Sequence, residues 1–314
     1  MIRLLITVDV ESTKAVKEGR IRHLRYETDM AIPCRQIMKI ANRYGAKVTF
    51  MLPVGEIAVD NIAVFDLAKE MSKRHDIQVH LHRPFPLLSD KEIVELIRSE
   101  MELIEDVAGY RPTCIRAGGY SVGEGGKWIN CVSRAGLQID CSVWSGANIF
   151  TTRSIVDSAV PREEERWGRG ALYFDFRNAP LAGAYNPSPD NLARVGESAI
   201  VEIPISMRGY SEVDPWKYRL DPQTQQFAEM KETLLTYLKK AKETRDFLLE
   251  MIWHTNNNFS VLRPLGILHS HRSVRDFEHL LRYIAMDHAG KDVQFATVSE
   301  LDLSQISKQP VMPA

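Results

Sequence analysis

Cysteine is scarce in this chain, with four in 314 residues. Cys34, Cys114, Cys131 and Cys141 form no Cys-x-x-Cys pair, which argues against a disulfide framework and leaves reduced thiols. Excess charge of either sign is lacking too. Forty Lys and Arg against 41 Asp and Glu leave a net charge of -1, so no global attraction to nucleic acid or to an anionic membrane is indicated. No apolar run approaches the roughly 18 residues that would span a bilayer, so no integral membrane segment is expected. The apolar stretch Met1 to Val8 is ended by Asp9 and is too short for a signal-peptide core. These absences predict a cytoplasmic protein. Internal repeats and low-complexity tracts are also missing.

What is present is a hydrophobic fraction of 44%, enough to bury a substantial core in one large domain or two smaller ones. Strand-like and helical segments alternate. Arg3 to Val8 reads as a strand, residues 12 to 31 as irregular, and Ile37, Ile40, Ala41 and Tyr44 as the stripe of a helix closed by Gly45. A strand at Lys47 to Leu52, a helix at about Ile62 to Arg74 and a strand from Asp76 follow. Ser89 with Glu92 makes a capping box for a helix at about Asp90 to Val107. Then come a strand at Cys114 to Ala117, a helix at Gly125 to Ala135 and a short strand at Leu137 to Asp140. Residues 145 to 200 break the rhythm and read as an insertion, crossed by a strand at Leu172 to Phe176. Beyond it are a strand at Ala199 to Ile205, a long helical stretch at about Gln225 to Trp253, a strand at Gly266 to His269, a helix at Val274 to His288 and a strand at Val293 to Val298. Such alternation predicts an α/β protein with a parallel sheet, closed as a barrel or open and doubly wound.

Two runs carry the chemistry. Asp9-Val10-Glu11 and His80-Leu81-His82 each set two metal-capable side chains two residues apart, hence on one face of a strand. Asp9, Glu11, His80, His82, Arg116, Asp140 and His269 all fall at expected strand ends, where α/β folds gather their ligands. Two carboxylates in an otherwise apolar strand call for a cation or a proton.

In this order the motifs resemble those of the polysaccharide deacetylase superfamily, carbohydrate esterase family 4. The matching segments are Thr7-Val8-Asp9-Val10-Glu11, Asp76 to His82, Arg116-Ala117-Gly118-Gly119-Tyr120, Asp140-Cys141-Ser142-Val143-Trp144 and Gly266-Ile267-Leu268-His269. They run across nearly the whole chain. The resemblance implies a distorted (β/α)-barrel of the polysaccharide deacetylase type, taken as one catalytic domain at 1–303 with the 145–200 insertion inside it and a tail at 304–314.

It also implies metal-dependent hydrolysis of an N-acetyl or related amide on a sugar. The divalent metal, expected to be zinc, would be held by Glu11, His80 and His82, with Asp9 as base and His269 as the acid that protonates the leaving amine. Arg116 would orient Asp9, Asp140 would hydrogen-bond His269, and Tyr120 and Trp144 would contact substrate. Two departures from the common pattern bear on these roles. The first motif is Asp-Val-Glu rather than adjacent aspartates, so Asp9 and Glu11 can be exchanged between base and ligand. The second has Pro at position 84 where the family has its second histidine, so His82 takes that duty, unless a water or a residue of the insertion completes the set. The expected substrate is a carbohydrate precursor of a surface polysaccharide or lipopolysaccharide. The alternatives are a deformylase or ureide amidohydrolase on the same site, and a non-catalytic carbohydrate-binding protein.

Other residues have plainer readings. His75 fits a helix-to-strand turn, His271 a solvated loop, and Arg162 to Arg166 a solvated charge run. Trp144, Trp167, Tyr173, Phe174 and Tyr185 are core or a stacking surface for a sugar ring.

Overall fold

A computed structural model of the chain describes all residues except 13, 18–19, 24, 84, 86–87, 123–124, 146–147, 151–172, 177, 210–217, 243–246, 257–258, 263–266, 287–290, 307–310 and 312–314, with the backbone alone for 14–17, 20–23, 148–150, 173–175, 259–262, 267–270 and 305–306. Its centre is an eight-stranded sheet. The strands are β1 (Ile2–Asp9), β2 (Thr49–Leu52), β3 (Asp76–Leu81), β4 (Cys114–Ala117), β5 (Ile139–Asp140), β6 (Val201–Glu202), β7 (Phe247–His254) and β8 (Val293–Ala296). All neighbours run parallel, in the order β6-β5-β4-β3-β2-β1-β7. β8 lies beside the first half of β1, on the flank where β2 takes over from Thr7.

Parallel strands are covered on both faces and so read as continuous apolar runs. Ile2, Leu4, Leu5, Ile6 and Val8 of β1 and Phe247, Leu248, Leu249, Met251, Ile252 and Trp253 of β7 are all buried. The sheet curls until its edges meet. Ser206, just beyond β6, donates its backbone N–H to the Glu250 carbonyl at 3.0 Å, and its hydroxyl accepts the Glu250 N–H at 2.9 Å. The C-terminal ends of β1 to β7 lie on one rim, and Asp9, Arg116, Asp140, Glu202 and His254 stand on it.

The helices include α1 (Ile32–Arg43), α2 (Val54–Ala58), α3 (Val64–Ser72), α4 (Asp90–Ala108), α5 (Gly125–Ala135), α6 (Phe227–Ala241) and α7 (Arg272–Met286), with a last turn at Leu303–Ile306. α4 begins at the expected capping box of Ser89 and Glu92 and ends at Gly109, whose φ of 78° is left-handed. The four cysteines are free and buried. Among the described residues no helix is long and apolar enough to cross a membrane.

The structure corrects three expectations. The helical stretch at Gln225 to Trp253 is α6 followed by β7, a long strand of the sheet. Leu238, Phe247, Leu248 and Met251 fall at helical spacing, but a run buried on both faces has no periodicity of its own, so the pattern could not separate helix from strand. The late strand, Ile267–Ser270, lies outside the parallel sheet, in an antiparallel ladder with Phe259–Leu262. Residues 12 to 31 are not simply irregular, since Lys14–Lys17 pairs with Arg20–His23 and a wide helical turn covers Tyr26–Ala31. In the insertion, Tyr173–Asp175 pairs with Asn148–Phe150, and Pro187–Ser188 with Asn191–Val195. The Arg162 to Arg166 run and Trp167 lie outside the described residues, as do the side chains of Tyr173 and Phe174.

Candidate active site

Asp9 ends β1 opposite His254 of β7, and Glu11 follows two residues on. The Glu11 backbone is fixed from one neighbour: its N–H donates to Thr255 Oγ1 at 2.9 Å, and the same hydroxyl donates to the Glu11 carbonyl at 2.9 Å. His80 and His82 leave β3 on one face, their rings nearly perpendicular and 4.5 Å apart between centroids. Ligand atoms of Glu11, His80 and His82 all come within 4.8 Å of one another.

Each ring is oriented by the bond at its other nitrogen. His80 Nδ1 donates to the Arg116 carbonyl at 2.8 Å, and His82 Nδ1 donates to Glu56 Oε2 at 3.0 Å. Both Nε2 atoms therefore face Glu11 Oε1, at 3.5 Å for His80 and 2.9 Å for His82. Donors bound at about 2.0–2.1 Å to a tetrahedral ion stand about 3.3 Å apart, so this set is already close to the spacing a divalent cation needs. Burial opposes protonation of His80 more strongly than the Asp9 and Glu11 charges favour it, and holds its pKa below the usual histidine value. A neutral imidazole is the form that binds metal. His82 fits only because position 118 is glycine. A Cβ on Gly118 would lie 2.3 Å from His82 Cδ2.

Beside this trio lies a buried charge network. Arg116, fully buried, donates from Nη1 to Asp9 Oδ1 at 2.5 Å, from Nε to the Cys141 carbonyl at 2.9 Å, and from Nη2 to Thr7 Oγ1 at 2.9 Å and to Glu250 Oε1. Burial opposes ionisation of Asp9, yet the Arg116 guanidinium, with His80 and His254, holds its carboxyl below the ordinary value. Asp9 is thus an oriented carboxylate next to the candidate ligands. Burial pushes Glu250 up to about 7 in spite of Arg116 and Thr7. His254 Nε2 is 3.6 Å from Asp9 Oδ2, and Asp9, Glu11 and His254 form a second group of potential ligands sharing Glu11 with the first.

Asp140 is also buried. Oδ1 accepts from Ser142 Oγ at 2.6 Å and Oδ2 from Trp128 Nε1 at 2.9 Å. Glu202, opposite it on β6, hydrogen-bonds it as well. Burial raises both acids, Glu202 strongly, and for Glu202 the facing Asp140 charge adds to the effect. The backbone of His269 lies in the Phe259–Leu262 ladder and its side chain is outside the described residues. Tyr120, at a left-handed φ of 58°, and Trp144 are both buried, their ring centroids 5.8 Å apart. Arg219 lies over the Trp144 ring at 4.8 Å and donates to the Tyr120 hydroxyl at 3.2 Å. His75 is buried edge-on to Phe50, and His271 is exposed just before α7.

Sequence reasoning missed Glu56, Glu250, Glu202 and His254. Glu250 and His254 were hidden by the reading of β7 as helix. A Glu inside that apolar run was the available signal, because a charge in a fully buried strand needs a partner.

No protein-family model and no curated protein sequence matches the chain. Solved structures do. A protein from Mycobacterium smegmatis, assigned as a polysaccharide deacetylase, superposes with a TM-score of 0.56 at 14% identity, over 98% of this chain and 89% of that one. The allantoinase Puue gives 0.58 at 13% identity, over 95% and 88%. The 4-alpha-glucanotransferase from Thermococcus litoralis gives 0.56 at 11%, over 99% of this chain and 41% of that chain. The polysaccharide deacetylase fold is therefore the fold of this chain, and the same fold serves more than one chemistry.

Proposed function

We propose that the protein is a metal-dependent amide hydrolase that removes the acetyl group from an N-acetylated sugar, a precursor of a surface polysaccharide or lipopolysaccharide. The observation that carries this reading is the convergence of His80 Nε2 and His82 Nε2 on Glu11 Oε1, next to an ionised Asp9 held by Arg116. Glu11, His80 and His82 would hold the ion, zinc being the metal best suited to two imidazoles and one carboxylate. When bound, such an ion lowers the pKa of a water and polarises an acyl oxygen.

The rest is work for the chain. Asp9 takes the proton of the attacking water, and Arg116 keeps its carboxylate ionised and aimed. Of the two assignments open for Asp9 and Glu11, this one is favoured by Arg116, which already occupies one oxygen of Asp9, whereas the Glu11 carboxyl faces both imidazoles. The leaving amine must be protonated as the C–N bond breaks. His269 is the expected acid by its place in the motif order, and His254, 3.6 Å from Asp9, is the second candidate. Tyr120 and Trp144 are the residues expected to meet a sugar substrate by their place in the motif order.

Acetate release from N-acetylated amino sugars, measured with the zinc-loaded protein and after chelation, tests this. Release that needs metal is expected, and turnover untouched by metal removal would overturn it. Asp9→Asn should keep the metal and lose about 10²–10⁴ in turnover. The likeness to an allantoinase favours a second reading, hydrolysis of a small ureide on the same groups. Ring opening of allantoin without acetate release from any amino sugar would select it.

A further inference from the structure

Glu56 belongs to none of the motifs, yet it is buried and each of its oxygens accepts a hydrogen bond from the same residue. Oε1 accepts the backbone N–H of His82 at 2.8 Å, and Oε2 accepts the ring Nδ1–H of the same histidine at 3.0 Å. His82 needs such a hold. β3 ends at Leu81, so His82 lies one residue past the described pairing with β4. Its ring is packed against the bare backbone of Gly118.

We infer that Glu56 is a two-point clamp on His82 that fixes the ring and keeps hydrogen on Nδ1, so that Nε2 is the atom offered beside Glu11 and His80. The inference rests on the metal-site reading above and deepens it. Its logic is that an ionised carboxylate only accepts hydrogen bonds, so the nitrogen facing it carries the hydrogen and the opposite nitrogen is the ligand. The clamp is itself anchored. α2, which carries Glu56, begins beneath Glu100 of α4, whose two oxygens accept the Gly55 N–H at 3.1 and 3.0 Å. Arg83 lies 3.6 Å from Glu56 Oε1 and adds a countercharge.

Glu56→Gln separates the clamp from simple packing. The backbone N–H of His82 can only donate, so the glutamine carbonyl keeps that bond and its NH₂ is turned to the ring. Nδ1 must then accept, which moves the hydrogen to Nε2 and blocks the ligand atom. The experiment is Zn²⁺ affinity by competition with a chromophoric chelator for the wild type, Glu56→Gln and Glu56→Ala, together with thermal unfolding of each metal-free form. The clamp predicts about 10- to 100-fold weaker zinc binding in Glu56→Gln, with a metal-free unfolding midpoint close to wild type. Equal affinity in the wild type and Glu56→Gln overturns it. Should the variants fail to fold, ¹⁵N-resolved spectra of the His82 ring in the zinc-loaded wild type decide the matter: hydrogen on Nδ1 and metal on Nε2 supports the clamp, and the reverse overturns it. A wild-type protein that binds no zinc removes the metal reading itself, a failure distinct from loss confined to Glu56 variants.

Discussion

At residue scale the site depends as much on a missing side chain as on the ones present. Gly118 leaves the space that His82 fills, and a methyl group there would sit 2.3 Å from the ring. Gly118→Ala should therefore displace His82 while leaving His80 and Glu11 in place. We expect a zinc affinity at least about tenfold weaker, the scale of a lost ligand support, with little change in far-UV circular dichroism; chelator competition measures it. The trio Glu11, His80 and His82 was legible in the sequence because period-two spacing in a strand sets side chains on one face. Arg116 was legible only through the order of motifs, and the structure gives its physical content in the bonds to Asp9, Thr7, Glu250 and Cys141. Glu56 could not be read. It approaches His82 from a five-residue helix 26 positions earlier, and no local pattern encodes that contact. Asp140 was read only from the motif order, and its described partners Ser142, Trp128 and Glu202 lie two residues on, in α5 and in β6.

At the scale of elements, legibility followed boundary chemistry. α4 was predicted within a residue of its observed span because Ser89 and Glu92 satisfy the orphan N–H groups at its start. Ser89→Ala removes that acceptor and should cost about 1 kcal/mol of stability, read from urea unfolding; a change within error would mean the cap adds nothing in the folded context. β7 had no such signal. Its eight residues are apolar except Glu250 and His254 and follow α6 within a few positions, so the apolar run extended the helix in the reading. The misplacement had a chemical consequence, because β7 brings Glu250 to Arg116 and His254 to Asp9. The late strand carrying His269 failed for the converse reason. Gly266 to His269 resembles a sheet strand in composition, but its pairing partner is Phe259–Leu262, and strand composition does not name the partner.

At the scale of the whole molecule, two buried ionisable groups make stability depend on pH in opposing directions. His75 is held down to about 4 by burial, with Arg74 adding to the effect, while an unfolded histidine titrates near 6.5. The unfolded chain binds the extra proton between those values, so this contribution is full above about 6.5 and is lost as pH falls towards 4. Glu250 is raised to about 7, so the folded state holds the extra proton, and stability is lost as pH rises from about 4.5 to 7. Each shift corresponds to about 3 kcal/mol. In the metal-free protein, His75→Phe should gain stability relative to wild type as pH falls from 7 to 4, and Glu250→Gln should gain relative to wild type as pH rises over the same range; urea unfolding at a series of pH values measures both, and parallel profiles would contradict the assignment. The curled parallel sheet itself was expected from the alternation of strands and helices, and it places Asp9, Arg116 and His254 on one rim beside Glu11, His80 and His82. The most direct measurement of the central claim is an anomalous difference map at the zinc edge from crystals of the zinc-loaded protein. The account predicts one strong peak bounded by Glu11, His80 Nε2 and His82 Nε2, with Asp9 still paired to Arg116, whereas no peak there, or a peak at other residues, would contradict it.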